Sequence, residues 1–189
     1  MRKLLFILII VLNIKSAYTQ QSILSPKAEI SVFTIGPGSS LNDAFGHNAF
    51  RIRDVEKGTD LFLDYGVYDF NTPNFYLKFV QGKLNYMIGV DSYADFLNNY
   101  FYQNRTIEEQ VLNLTQEQKQ ALFDYLLNNY KPENRSYLYD FFYDNCATKI
   151  KDVTNIALNN SIQFHEPENF KQQTFRELIH SNLNRNSWG

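Results

Sequence analysis

Three stretches early in the chain carry the alternating or β-branched pattern of half-buried strands. Ala28-Glu-Ile-Ser-Val-Phe-Thr-Ile35 predicts the first, after a loose lead-in from Gln20 to Lys27. Gly36-Pro-Gly-Ser-Ser40 breaks it, and Leu41 to Phe45 suits one helical turn. His47-Asn-Ala-Phe-Arg-Ile-Arg53 predicts a second strand. Period two puts His47, Ala49 and Arg51 on one face and Asn48, Phe50 and Ile52 on the other. A short polar link, Asp54 to Asp60, leads to a third strand, Leu61-Phe-Leu-Asp-Tyr-Gly-Val-Tyr68. A link that short pairs the two antiparallel.

The period then lengthens. Thr72 is a helix cap with Pro73 at the first helical position, Phe75, Tyr76, Phe79 and Val80 form a stripe, and Gly82 ends it. Leu84 to Val90 is a strand, Asp91 and Ser92 cap a helix to about Tyr102, and Thr106 to Leu114 is extended. Thr115-Gln-Glu-Gln118 is a capping box that opens a helix to about Asn129, which Lys131-Pro132 closes. Asp144-Asn145 caps a helix beginning at Cys146. Thr174-Phe-Arg-Glu177 is another capping box, with Phe175, Leu178, Ile179 and Leu183 as an apolar face. There is no internal repeat or low-complexity tract. This order predicts an α+β fold, an antiparallel sheet with helices packed on it.

The first residues have a different character. Arg2 and Lys3 precede an unbroken apolar run from Leu4 to Leu12, and Ala17-Tyr-Thr19 supplies small residues at alternate positions. This is the layout of a secretory signal peptide over residues 1–19, leaving one domain over 20–189. The run falls short of the roughly 20 residues that span a bilayer. An exported domain is therefore expected, with a retained anchor as the alternative. The 16 Phe and 13 Tyr are enough to fill a core, which argues against disorder. A net charge of −2 with no long basic run argues against a nucleic-acid partner. A single cysteine excludes a disulfide framework and a multi-cysteine zinc site. No two histidines stand at metal-ligand spacing, so neither metal nor other cofactor is expected.

That cysteine is the informative residue. Cys146 falls in the first turn of its helix, where free N–H groups and the positive helix end favour thiolate and could receive an oxyanion. With Ile150, Val153 and Ala157 it forms a sheet-facing stripe, so a strand histidine could reach it. The alternative is a small buried cysteine packing as a hydrophobe. His47, opening the second strand, is the candidate general base, against the alternative of a satisfied sheet histidine. His165 lies in a polar stretch, and His180 sits near the end of the last helix, where a cation suits the dipole. A Cys–His pair usually has a third polar group orienting the imidazole. Asp64, interrupting an apolar run, is the natural candidate, and Asp69 the second choice. Aromatic clusters at Tyr93 to Tyr102 and Tyr137 to Tyr143 either cover the sheet or line a groove for an acyl chain.

Four segments carry a resemblance: Phe45-Gly-His-Asn-Ala-Phe-Arg-Ile52, Asp64-Tyr-Gly-Val-Tyr-Asp-Phe70, Pro73-Asn-Phe-Tyr-Leu-Lys-Phe-Val80 and Asp144-Asn-Cys-Ala-Thr148. They resemble the Lnb N-terminal periplasmic domain family of Bacteroides-type bacteria, over nearly all of the chain after the signal peptide. The family is named for lipoprotein N-acylation transferases, which move a fatty acyl group to the amine of a lipoprotein's N-terminal diacylglyceryl-cysteine. The His-before-Cys order also resembles the circularly permuted papain-like (NlpC-type) thiol enzymes. The resemblance implies that fold, with Cys146 as nucleophile, His47 as base and Asp64 as orienter. It implies lipoprotein and phospholipid substrates at the membrane surface. It also implies membrane helices after this domain, so the expectation is a separate or missing C-terminal membrane domain.

Two rival functions stay open from the residues. One is a periplasmic cysteine peptidase or amidase with the same site. The other is a non-catalytic binding domain in which Cys146 only packs.

Overall fold

The computed structural model describes residues 22–40 and 43–183. The expected signal peptide, and Leu41 and Asn42 of the expected helical turn, lie outside them.

Six strands and five helices follow one another among the described residues. They are β1 (Glu29–Ile35), β2 (His47–Asp54), β3 (Thr59–Val67), α1 (Phe75–Val80), β4 (Asn85–Ser92), α2 (Tyr93–Phe101), β5 (Ile107–Val111), α3 (Gln116–Tyr130), β6 (Ser136–Leu138), α4 (Cys146–Ala157) and α5 (Phe175–Asn182). The strands form one sheet in the order β5-β1-β2-β3-β4-β6, with every neighbouring pair antiparallel. The α+β arrangement read from the sequence is the one observed.

Alternation along the strands decides what each face of the sheet buries. Ile30, Phe50, Ile52, Leu63, Tyr65 and Ile88 pack against Leu122, Phe123 and Leu126 of α3 and Val153 of α4. On the other face, Phe33, Ile35, Ala49 and Phe62 pack against Phe96 of α2. There the Phe62 and Phe96 rings stack 3.8 Å apart. Each buried Val, Ile, Leu or Phe among them stabilises the fold by about 1.5–3 kcal/mol. Arg51 lies on this second face, over the Tyr93 ring at 4.0 Å, with Nε and Nη2 each donating at 2.8 Å to Asp60. Salt bridge and ring together let a guanidinium stay buried.

The structure departs from the sequence reading in four places. The lead-in is anchored rather than loose. Leu24 is buried, and the fully buried Asp54 carboxylate accepts from the Ser25 N–H and hydroxyl, both at 2.7 Å. α1 begins at Phe75, not Pro73, because Asn74 adopts a left-handed conformation (φ 57°) that ends the turn before it. Of the expected α1 stripe only Phe75 is buried, while Tyr76, Phe79 and Val80 are exposed. Finally, β6 is a strand in a segment read only as aromatic-rich. It pairs Asn85, Tyr86 and Met87 with Leu138, Tyr137 and Ser136.

Candidate active site

β2 and β3 bring two of the candidate residues together. Asp64 pairs across from Ala49, so the same-face neighbour two residues away is His47. His47 Nε2 lies 3.1 Å from Asp64 Oδ2. Asp64 is only 7% exposed, and its Oδ1 is buried without a hydrogen-bond partner. The strand beyond makes room for it. Asp64 faces Gly89 of β4, where a methyl group would lie 3.1 Å from Oδ1 and 2.8 Å from Val67 Cγ2. Of the two carboxylates weighed as third group, Asp69 is exposed and accepts from Asn71 in a local turn. It takes no part in the site.

α4 brings the thiol. Asn145 Oδ1 accepts from the N–H groups of Ala147 (2.9 Å) and Thr148 (3.0 Å), and Thr148 Oγ1 accepts from the Asn145 N–H at 2.8 Å. Such a cap is worth about 1 kcal/mol and fixes where the helix starts. Cys146 is thereby held at the first helical position, half-buried, and its side chain lies beside His47 on the same cavity wall.

The meeting of these groups is not trivial, because α4 packs on the Phe50 face and His47 shares parity with the opposite one. They meet over Gly66. This residue is the irregularity in the β3–β4 ladder between Tyr65 and Val67, with φ 104°. A methyl group there would lie 4.0 Å from both Cys146 Cβ and His47 Cε1, and 3.9 Å from Tyr139 Cε2. A larger side chain would fill the space above the pair.

Electrostatics follow from this packing. Burial pulls the His47 imidazolium pKa down, but hydrogen bonds to Asp64 and Cys146 and their charges outweigh it, raising the value to about 9. Burial pushes the Cys146 thiol up, but the hydrogen bond and charge of His47, with the N–H groups of Asn48 and Ala147, outweigh it and lower the pKa. Both shifts favour a thiolate–imidazolium pair.

The pair opens into a cavity of about 490 Å³, within the range of small-molecule sites. Its walls are largely apolar and aromatic, including Tyr68, Phe79, Tyr86, Tyr139, Phe141 and Ile179. Tyr86 and Tyr139 stack at 4.3 Å. The two aromatic clusters thus divide. In the first, Tyr93, Phe96 and Tyr100 pack against the sheet. In the second, Tyr139 and Phe141 line the cavity. His165 and His180 are exposed and stand outside it. Among the described residues no group of three or more His, Cys, Asp and Glu could hold a metal ion.

A family model described as the Lnb N-terminal periplasmic domain matches residues 15–181, nearly the whole chain. The chain belongs to that family. Neither a curated protein nor a solved structure matches it. The family description makes this Lnb domain a periplasmic one. Among the described residues no helix is long and apolar enough to cross a membrane.

Sequence reasoning missed several parts of the Lnb domain's candidate site. Gly66 carried a signal, since an isolated glycine in a strand marks a bulge or a close approach. Gly89 carried the same signal. The Asn48 N–H gave none, because backbone direction leaves no local pattern, and the stripe that contains Phe79 predicts a helix but not its place on the cavity wall.

Proposed function

We propose that this Lnb domain is a cysteine-dependent acyltransferase, moving a fatty acyl group from a phospholipid to the N-terminal amine of a lipoprotein. The observation that carries the reading is Cys146 beside His47, with His47 hydrogen-bonded to Asp64, where the pair opens into an apolar cavity. We read the architecture, a helix-borne cysteine beside a histidine at the start of a strand, as circularly permuted papain-like.

The chemistry has two halves. The Cys146 thiolate attacks the ester carbonyl carbon of the phospholipid. The Asn145 side chain occupies the Ala147 and Thr148 N–H groups, which leaves the Cys146 N–H at the head of α4 for the oxyanion. The carbon–oxygen bond then breaks. The His47 imidazolium gives its proton to the departing lysophospholipid oxygen, and a thioester remains on Cys146. In the second half the lipoprotein amine attacks the thioester, neutral His47 takes the amine proton, and the thiolate departs as the amide forms. Asp64 holds the ring and balances its charge throughout. The aromatic walls suit an acyl chain better than a peptide, which would bring polar backbone into an apolar cavity.

Intact-mass spectrometry after incubation with mixed bacterial phospholipids tests the first half. A hydroxylamine-labile fatty-acyl adduct on wild type, absent from Cys146→Ser, is the expected result. Lipoprotein acylation that persists unchanged in Cys146→Ser would overturn the reading.

A further inference from the structure

α1 is a short helix turned almost wholly to solvent, yet its residues are large and apolar. Tyr76 is 77% and Val80 82% exposed, and Leu77 and Phe79 are exposed as well. Phe70, just before it, is also exposed and packs on Phe75 at 4.8 Å between ring centroids. A contiguous apolar surface of this kind marks an interaction face rather than scattered surface residues. It is continuous with the cavity, because Phe79 belongs to both. Ile179 and Leu183 also line the cavity, next in sequence to the exposed Phe175 and Leu178 of α5.

Charge decides what covers this face. From Asn71 to Val90 the chain has two charged residues, Lys78 and Lys83, and no acid, although the whole chain carries a net charge of −2. Apolar side chains beside lysines fit a phospholipid surface, with the side chains in the acyl boundary and the ammonium groups at the phosphates. The same face on a second copy would set like charges together.

We propose that α1 docks this domain on an anionic phospholipid bilayer, with Phe79 at the junction where an acyl chain passes from the membrane into the cavity. The proposal rests on the acyl-transfer reading for what enters the cavity.

Co-sedimentation of the exported chain with phosphatidylglycerol–phosphatidylethanolamine vesicles tests it, with phosphatidylcholine vesicles as the uncharged comparison. Wild type is expected to partition onto the anionic vesicles and to leave them as salt rises. Lys78→Glu/Lys83→Glu and Leu77→Asp/Val80→Asp should each bind about tenfold or more weakly. Neither pair touches the site, so Cys146 in both variants should react with a soluble thiol reagent at the wild-type rate. Absence of wild-type binding, or equal binding by all three proteins, would overturn the proposal. So would a wild-type dimer that Leu77→Asp/Val80→Asp dissolves, since the face would then belong to a second copy. Vesicle binding lost in both variants, without any acyl adduct on wild-type Cys146, would uphold docking and sink the acyl-transfer reading instead.

Discussion

Asp64 Oδ2 lies 3.1 Å from His47 Nε2, while Oδ1 of the same carboxylate is buried with no partner. An unsatisfied buried oxygen costs about 1–3 kcal/mol, so the arrangement is destabilising in itself. It also directs the carboxylate's charge at one imidazole with little competition.

Asp64→Asn should separate that charge from the hydrogen bond. The amide keeps the shape and loses the charge. Asp64 raises the His47 pKa, so its neutralisation moves the value down from about 9 toward the ordinary 6.5. The thiolate–imidazolium pair persists between the lowered Cys146 pKa and the raised His47 pKa. The upper limb of a pH profile for acyl transfer should therefore move to lower pH. An unmoved upper limb would show that Asp64 does not charge-stabilise the ring.

Loss of either partner in the ion pair should be severe and distinguishable. Cys146→Ser should abolish the acyl adduct. His47→Ala should slow acyl transfer by about 10²–10⁴-fold, the usual worth of a general acid–base group. It should also slow alkylation of Cys146 below pH 7, because the thiol then loses the partner that lowers its pKa. Rapid alkylation at low pH in His47→Ala would shift the credit to the helix terminus.

Gly66 makes two separable demands. Its φ of 104° is a conformation that other residues adopt only with strain, so Gly66→Ala should cost about 1–3 kcal/mol in urea unfolding. The added methyl meets Cys146 and His47 only at contact distance, so the alkylation rate should change little. Gly66→Val should add a clear fall in that rate by crowding the pair. Equal rates in the two variants would deny Gly66 its spacing role.

Asp54→Ala tests the fold away from the site. Burial raises the Asp54 pKa, but hydrogen bonds from Ser25 and from backbone N–H groups outweigh it and lower the value below 3.8. A depressed carboxylate stabilises fully above its unfolded pKa, and that contribution is lost as pH falls through the folded one. The variant should lose about 1–3 kcal/mol near neutral pH and differ less from wild type in acid. A gap that stays constant down to pH 2 would sink this account.

The parts of this molecule legible in its sequence are the local ones. The β2–β3 hairpin follows from alternation and a short polar link, and the start of α4 from the Asn145 cap. Proximity of His47 to Cys146 is arguable from the sheet-facing stripe that Cys146 forms with Ile150, Val153 and Ala157. Asp64 is preferred to Asp69 for interrupting an apolar run, while the register that sets it beside His47 comes from strand pairing and from no local pattern. The left-handed Asn74 hid the true start of α1. The Ser25–Asp54 clamp joins the lead-in to the end of β2, 29 residues on, and neither residue's neighbours signal the other. β6 owes its strand conformation to the neighbouring β4 and not to its own three residues.

The ends of the sheet have a consequence for how copies of this chain behave toward one another. An open edge is a template for another strand, and a row of free backbone groups there invites aggregation. β6 closes one end with only three residues, too short to seed a stable ladder. β5 closes the other with exposed Glu108, Glu109 and Gln110, so an incoming identical strand would meet its own negative charges. Both edges thus discourage fibre growth.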